Sequence, residues 1–277
     1  MCLQSETIFV SNKILWGLDN DKQTMNGNDT MTTIAKTPLQ EQQTTLSKNA
    51  TQDFRIKSLC HLIQSQLRDG DVLDFGCGNG IFVRHCHANS IPVLGIDHDE
   101  IVIQSTQDAL KADGITTNLV RQATLSTILD EKISVDNVVS MDCLEHIEDD
   151  YETFMHLVAL LKPQGQLTIT VPSIPFLFGK RDVALGHYRR YNKQQLISLA
   201  QSAGLTDIKL RYWNMLGVAP TFILERLLQR PVNDSFRYKD SFSSKLTRTF
   251  LTRWFMHIEN ACPAPLGLTL ILSAKRA

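Results

Sequence analysis

Val72-Leu-Asp-Phe-Gly-Cys-Gly-Asn-Gly80 is the stretch whose reading decides the fold. A short apolar run carrying an acid gives way to three glycines at alternate positions, and a helical pattern begins at Ile81. Where a strand turns into a helix, the first helical N–H groups are unpaired, and glycines let a ligand approach the backbone closely. Asp74, Gly76, Gly78 and Gly80 are therefore candidate ligand-binding positions. Taken alone, the segment also fits an ordinary strand-to-helix turn. A dinucleotide fingerprint would want glycine at 81, where this chain has Ile81, and here the third glycine comes one residue early. The spacing leans away from a nicotinamide nucleotide.

Working outward, Ile56, Leu59, Cys60, Ile63 and Leu67 recur at helical spacing before Arg68-Asp-Gly-Asp71 breaks the pattern. Downstream the chain alternates: strand 71–75, helix 80–89, strand 92–97, helix 99–112, strands 117–122 and 135–141, helix 150–162, strand 166–172. Asn192-Lys-Gln-Gln195 reads as a capped helix start, Gly204 as its end, and strands follow at 205–212 and from Leu268. Strands separated by helices predict an α/β fold: a Rossmann-like, seven-stranded, mostly parallel sheet with helices on both faces. A helical insertion is expected before the last strand.

The chain of 277 residues, 43% hydrophobic, can bury one substantial core, and a net charge of −1 provides no overall pull toward nucleic acid. Six cysteines without a CxxC pair suit a reducing cytoplasm and argue against a disulfide framework or zinc. His85-Cys86-His87 is read as helix surface, since adjacent helical residues diverge, and no metal site is expected. Residues 1–50, rich in Thr, Gln and Asn, are expected to be a disordered tail, leaving 51–277 as one domain. No apolar run reaches the ~18 residues of a membrane span, so a cytoplasmic location is expected.

Two further features raise the specificity of the glycine turn. Pro92-Val-Leu-Gly-Ile-Asp97 is an apolar strand ending in a carboxylate suited to accept both ribose hydroxyls of a nucleoside. Asp136-Asn-Val-Val-Ser-Met-Asp-Cys-Leu-Glu-His-Ile147 and Leu161-Lys-Pro-Gln-Gly-Gln-Leu167 follow in order. With these pieces the chain resembles class I S-adenosyl-L-methionine-dependent methyltransferases over about 55–277, in particular the UbiG-like, methyltransferase type 11/12 group. Gln164 replaces the first glycine of the family's Lys-Pro-Gly turn, which the remaining Gly165 is expected to tolerate.

The resemblance implies S-adenosyl-L-methionine as cofactor. Asp74 and the loop Gly76, Cys77, Gly78 and Gly80 would hold its methionine end and Asp97 its ribose, with the adjacent His98 a further candidate cofactor contact, and Asp142 and Cys143 would lie beside the sulfonium. Such enzymes often place an acid after the third strand to receive the adenine amino group. Here Gln122 stands in, with an amide oxygen able to accept that bond.

Val171-Pro-Ser followed by Gly186-His-Tyr-Arg-Arg-Tyr191 is similar to a segment of this group, some of whose members act in lipid, quinone or surface-polysaccharide pathways, and because it follows the fifth strand it is expected to form the substrate wall. Tyr188, Arg189, Arg190 and Tyr191 are the candidate substrate residues. His187 and His146 are the candidate bases, with His187 preferred. Glu145 is read as structural. The segment 213–262 is expected to form the helical insertion or cap, and 213–255, where aromatic and basic residues alternate, is a candidate peripheral membrane contact for a lipid-linked acceptor. Two other readings remain: a nicotinamide-dependent oxidoreductase, and a non-catalytic cofactor-binding partner subunit.

Overall fold

A computed structural model describes residues 53–229 and 242–277; the expected tail at 1–50 and the middle of the insertion lie outside them. Asp53 starts the domain by capping α1 (Phe54–Gln64), its carboxylate accepting the N–H groups of Arg55 at 2.9 Å and Ile56 at 3.2 Å. One face of α1, including Leu59, Cys60 and Ile63, is buried against the sheet.

The sheet contains β1 (Val72–Phe75), β2 (Val93–Asp97), β3 (Val120–Gln122), β4 (Val135–Met141), β5 (Leu161–Pro172), β6 (Leu205–Trp213) and β7 (Thr269–Arg276). Their order is β3-β2-β1-β4-β5-β7-β6. Pairings from β3 through β5 are parallel, and β7 runs antiparallel to both neighbours. The expected seven-stranded, mostly parallel sheet is what forms.

Strand periodicity divides the core. Leu73, Val138, Leu167 and Ala274 are successive register partners, all at or near zero exposure, on the face covered by α4 (Leu125–Asp130), α5 (Asp150–Ala159) and α7 (Lys193–Ser202). The opposite face, with Val72, Val139 and Ile271, meets α1, α2 (Ile81–Ala88) and the helical segment at 242–259. Beyond it, α3 (Glu100–Ala112) joins Val83, Leu110 and Val120. Each fully buried aliphatic side chain contributes about 1.5–3 kcal/mol relative to exposure.

Several boundaries differ from the sequence pattern. The helix expected at 150–162 ends at Ala159, and β5 begins at Leu161, paired with Val135. The Lys-Pro-Gln-Gly turn is a bulge within that pairing, and Gln164 lies in the left-handed region at φ 62°. Gly165 is required beside it, because a Cβ there would come 2.8 Å from the Lys162 carbonyl oxygen. Residues 117–119 form a 3-10 turn rather than strand, and α4 and the five-residue α6 (Lys180–Ala184) had no periodic signature.

The insertion leaves the sheet after Trp213. It contains α8 (Val218–Thr221) running into a π-helical turn (Phe222–Leu227), then α9 (Phe242–Trp254) and a second π turn (Phe255–Glu259). Buried Glu259 pins it to β6, accepting the N–H of Asn214 at 2.5 Å and of Met215 at 3.0 Å and the Trp254 Nε1–H at 3.0 Å. Among the described residues, no helix is long and apolar enough to cross a membrane.

Candidate functional site

The carboxyl ends of β1, β2 and β4 converge where the glycine loop leaves β1, as ligand sites in open parallel sheets do. Gly76, Gly78 and Gly80 have φ of 71°, 49° and 66°. Gly76 is doubly constrained, since a Cβ there would lie 2.4 Å from Cys143 Sγ. The loop from β4 thus packs against the glycine loop through Cys143.

Asp97 is tied to the same loop: its Oδ2 accepts the Gly78 N–H at 3.0 Å, and its Oδ1 takes the Asp99 N–H at 3.0 Å and the His98 ring at 3.2 Å. Burial would raise its pKa, but these bonds hold the carboxyl below its ordinary value, as an anion. Asp74, 2% exposed, makes no such bonds among the described residues. Burial, followed by repulsion from Asp97, pushes it up to about 7.

Gln122 is the register partner of Asp97 on the neighbouring strand. Its amide nitrogen donates to the His98 carbonyl at 3.1 Å, which leaves its amide oxygen as acceptor. Asp142, at φ 47°, is held by the Thr170 hydroxyl, which donates to its Oδ1 at 3.0 Å.

One cleft joins Asp74, Gly76, Cys77, Gly78 and Asp142 to His146, His187 and Arg190. Of the expected residues, Gly80, Asp97, His98, Gln122 and Cys143 lie outside its wall. The rings of His146 and His187 meet edge to face, 4.6 Å apart at 90°. Burial, then His187, lowers the His146 pKa to about 4, so this ring is neutral near pH 7. His187 Nδ1 lies 3.0 Å from Asp182 Oδ1, which also accepts the Arg190 Nε–H at 2.9 Å. Burial alone would raise Asp182, but the hydrogen bonds from His187 and Arg190 bring it to about 2.

The other expected substrate residues have different partners. Arg189 pairs with Asp150 at 2.7 Å and donates to the Glu148 carbonyl at 2.6 Å. Tyr191 is buried, its hydroxyl donating to Asp150 Oδ2 at 2.7 Å, and Tyr188 is exposed. None of the three lines the cleft.

Sequence reasoning missed three cleft residues. Arg55, beside the α1 cap, has its Nε buried without a hydrogen-bond partner among the described residues, in the wall of the cleft that Asp74 and the glycine loop also line. Asp182 sits on a helix too short to show a period. Glu145, read as structural, accepts the Tyr188 N–H through its carbonyl at 2.8 Å, yet its Oε2 is buried in the cleft wall without a hydrogen-bond partner among the described residues. Desolvation first, then Asp142, raises its pKa well above the ordinary value. Donor atoms of Glu145, His146 and His187 lie within 4.8 Å of one another, a cluster that would have to contract around an ion with bonds of about 2.1 Å.

A family model described as a methyltransferase domain matches residues 51–210. Among curated relatives, a ubiquinone biosynthesis O-methyltransferase of Rickettsia felis is 28% identical over 100 residues, 36% of this chain and 40% of that protein. A Mycobacterium tuberculosis protein described as a probable S-adenosylmethionine-dependent methyltransferase is 27% identical over 142 residues, 50% of each chain. The chain therefore spans half or less of the length of these two relatives. Among solved structures, a chain of the complex between the Haloferax volcanii Trm112 methyltransferase activator and a methyltransferase superposes with a TM-score of 0.56 at 15% identity, covering 87% of this chain and 98% of that one. The YcgJ protein of Bacillus subtilis gives 0.52 at 14% identity over 78% and 97%. At these identities the likeness concerns the fold.

Proposed function

This chain belongs to the methyltransferase-domain family, and from that premise we propose that it transfers a methyl group from S-adenosyl-L-methionine to a hydroxyl of a small or lipid-linked acceptor. The cofactor supplies a methyl already activated on a sulfonium, so positioning and proton removal are what remain for the protein. Asp97 offers a fixed anion for the ribose hydroxyls, and Gln122 an acceptor for the adenine amino group. Asp74 offers a carboxyl that ionises readily once a cation, the methionine ammonium, lies beside it. Arg55 carries an unpaired guanidinium nitrogen suited to the methionine carboxylate.

The observation that carries the acceptor reading is the placement of His187 in the same cleft as Asp74 and the glycine loop. The acceptor oxygen gives its proton to His187 Nε2 as the new O–C bond forms, while the C–S bond breaks with its electron pair going to sulfur. His187 suits this role better than His146, whose basicity is reduced by burial.

A lipid-linked acceptor is supported by the rim. Phe176, Phe222, Ile223, Leu227 and Leu228 are exposed, and Arg226 stacks 4.8 Å over Phe176, next to the cleft residues Thr221 and Glu225. An apolar surface with a basic residue at its edge suits peripheral contact with a bilayer from the cytoplasmic side. The test is incubation with methyl-labelled cofactor and cell extract. Label is expected in the lipid or small-molecule fraction, in alkali-stable ether linkage, and label in protein or nucleic acid would overturn the reading.

A further inference from the structure

Asp182 is 1% exposed, and every polar contact of its carboxylate is directed. Oδ2 accepts the Gly179 N–H at 2.9 Å, and Oδ1 faces both His187 Nδ1 at 3.0 Å and Arg190 Nε at 2.9 Å. Arg190 in turn reaches the Ser173 carbonyl just beyond β5 at 3.4 Å, so the sheet itself anchors the chain of contacts. An ionised carboxylate only accepts, so Nδ1 of His187 must carry the proton that bridges them. The lone pair of a neutral His187 is then confined to Nε2.

We propose that Asp182, held in place by Arg190, is a positioning residue that fixes His187 in the tautomer whose Nε2 accepts a proton from the methyl acceptor. This rests on the reading of His187 as base. The plainer role, closing the 173–191 loop, does not need the carboxylate in this orientation, because the loop is already held by the His187 N–H to Asp182 carbonyl bond at 2.9 Å and by the Tyr191 N–H to Pro172 carbonyl bond at 2.9 Å.

Two measurements test it. The first uses the unaltered protein labelled with 15N in its histidines, with His187 assigned through His187→Gln. The neutral ring of His187 should show its proton on Nδ1, and a proton on Nε2 would overturn the proposal whether or not any acceptor is methylated. The second compares labelled-methyl incorporation from the extract by the unaltered protein and by Asp182→Asn, alongside cofactor binding by each. Asp182→Asn should cut the rate at saturating cofactor at least 100-fold while leaving cofactor affinity within about threefold, because an uncharged amide no longer stabilises the imidazolium that forms as the proton is taken. A rate within twofold of the unaltered protein would overturn it. The expected tautomer together with no incorporation into any hydroxyl would leave the positioning intact and defeat the proposed function instead.

Discussion

Asp74 makes cofactor binding depend on pH in a direction the structure fixes. Its carboxyl, ordinarily near 3.8, is pushed up to about 7 by burial and by Asp97. In the cofactor-free protein the folded state therefore holds more protons than the unfolded chain between those two values, and stability falls as pH rises through this window. A bound ammonium group reverses the preference by selecting the ionised carboxyl. Asp74 would be about 3% ionised at pH 5.5 and about half ionised at pH 7, so affinity for S-adenosyl-L-methionine should rise roughly fifteenfold, about 1.6 kcal/mol. The cofactor's own amine, with a free-solution pKa of about 7.7–8.0, stays protonated over most of that range. Calorimetric titration at several pH values from 5.5 to 7 measures the slope, and Asp74→Asn should flatten it. An affinity that does not change with pH in the unaltered protein would refute the reasoning.

Other expectations follow from single sites. Gln164→Gly removes a side chain from the left-handed region at φ 62° and should raise stability by about 0.5–1 kcal/mol in urea titration. Glu259→Ala strands the buried N–H groups that Glu259 accepts and should cost about 3 kcal/mol or more, seen as a lowered Tm, with the insertion loosened first in hydrogen exchange. Because transfer from a sulfonium needs no Lewis acid, exhaustive treatment with a chelator should leave methyl incorporation unchanged. A loss restored by a divalent cation would bring the cluster of Glu145, His146 and His187 into the chemistry instead.

The parts of this account that sequence could reach are those whose physics is local. Glycines at 76, 78 and 80 announce their positive φ, Asp97 announces itself as the polar end of an apolar strand, and the pattern over 150–162 marks a helix, which the structure ends at Ala159. The missed residues depend on contacts distant along the chain or on helices too short to show a period. Arg55 becomes informative only when α1 packs beside β1 and its Nε is left unpaired. Asp182 lies on a five-residue helix, and its meaning comes from His187 and Arg190 closing over it. Tyr191 and Arg189 show the converse: their residue types suit a substrate wall, but Asp150, at the start of α5, engages both. Gln164 looked neutral because a backbone angle, rather than a side-chain contact, carries its cost.

The central claim, that the loop from Val72 to Gly80 together with Asp97 forms a site for S-adenosyl-L-methionine, is tested most directly by equilibrium binding of that cofactor and of NAD to the unaltered protein and to Asp97→Ala. Saturable binding of S-adenosyl-L-methionine alone, lost in the variant, is the predicted result. Binding of NAD, or no binding of S-adenosyl-L-methionine by the unaltered protein, would contradict it.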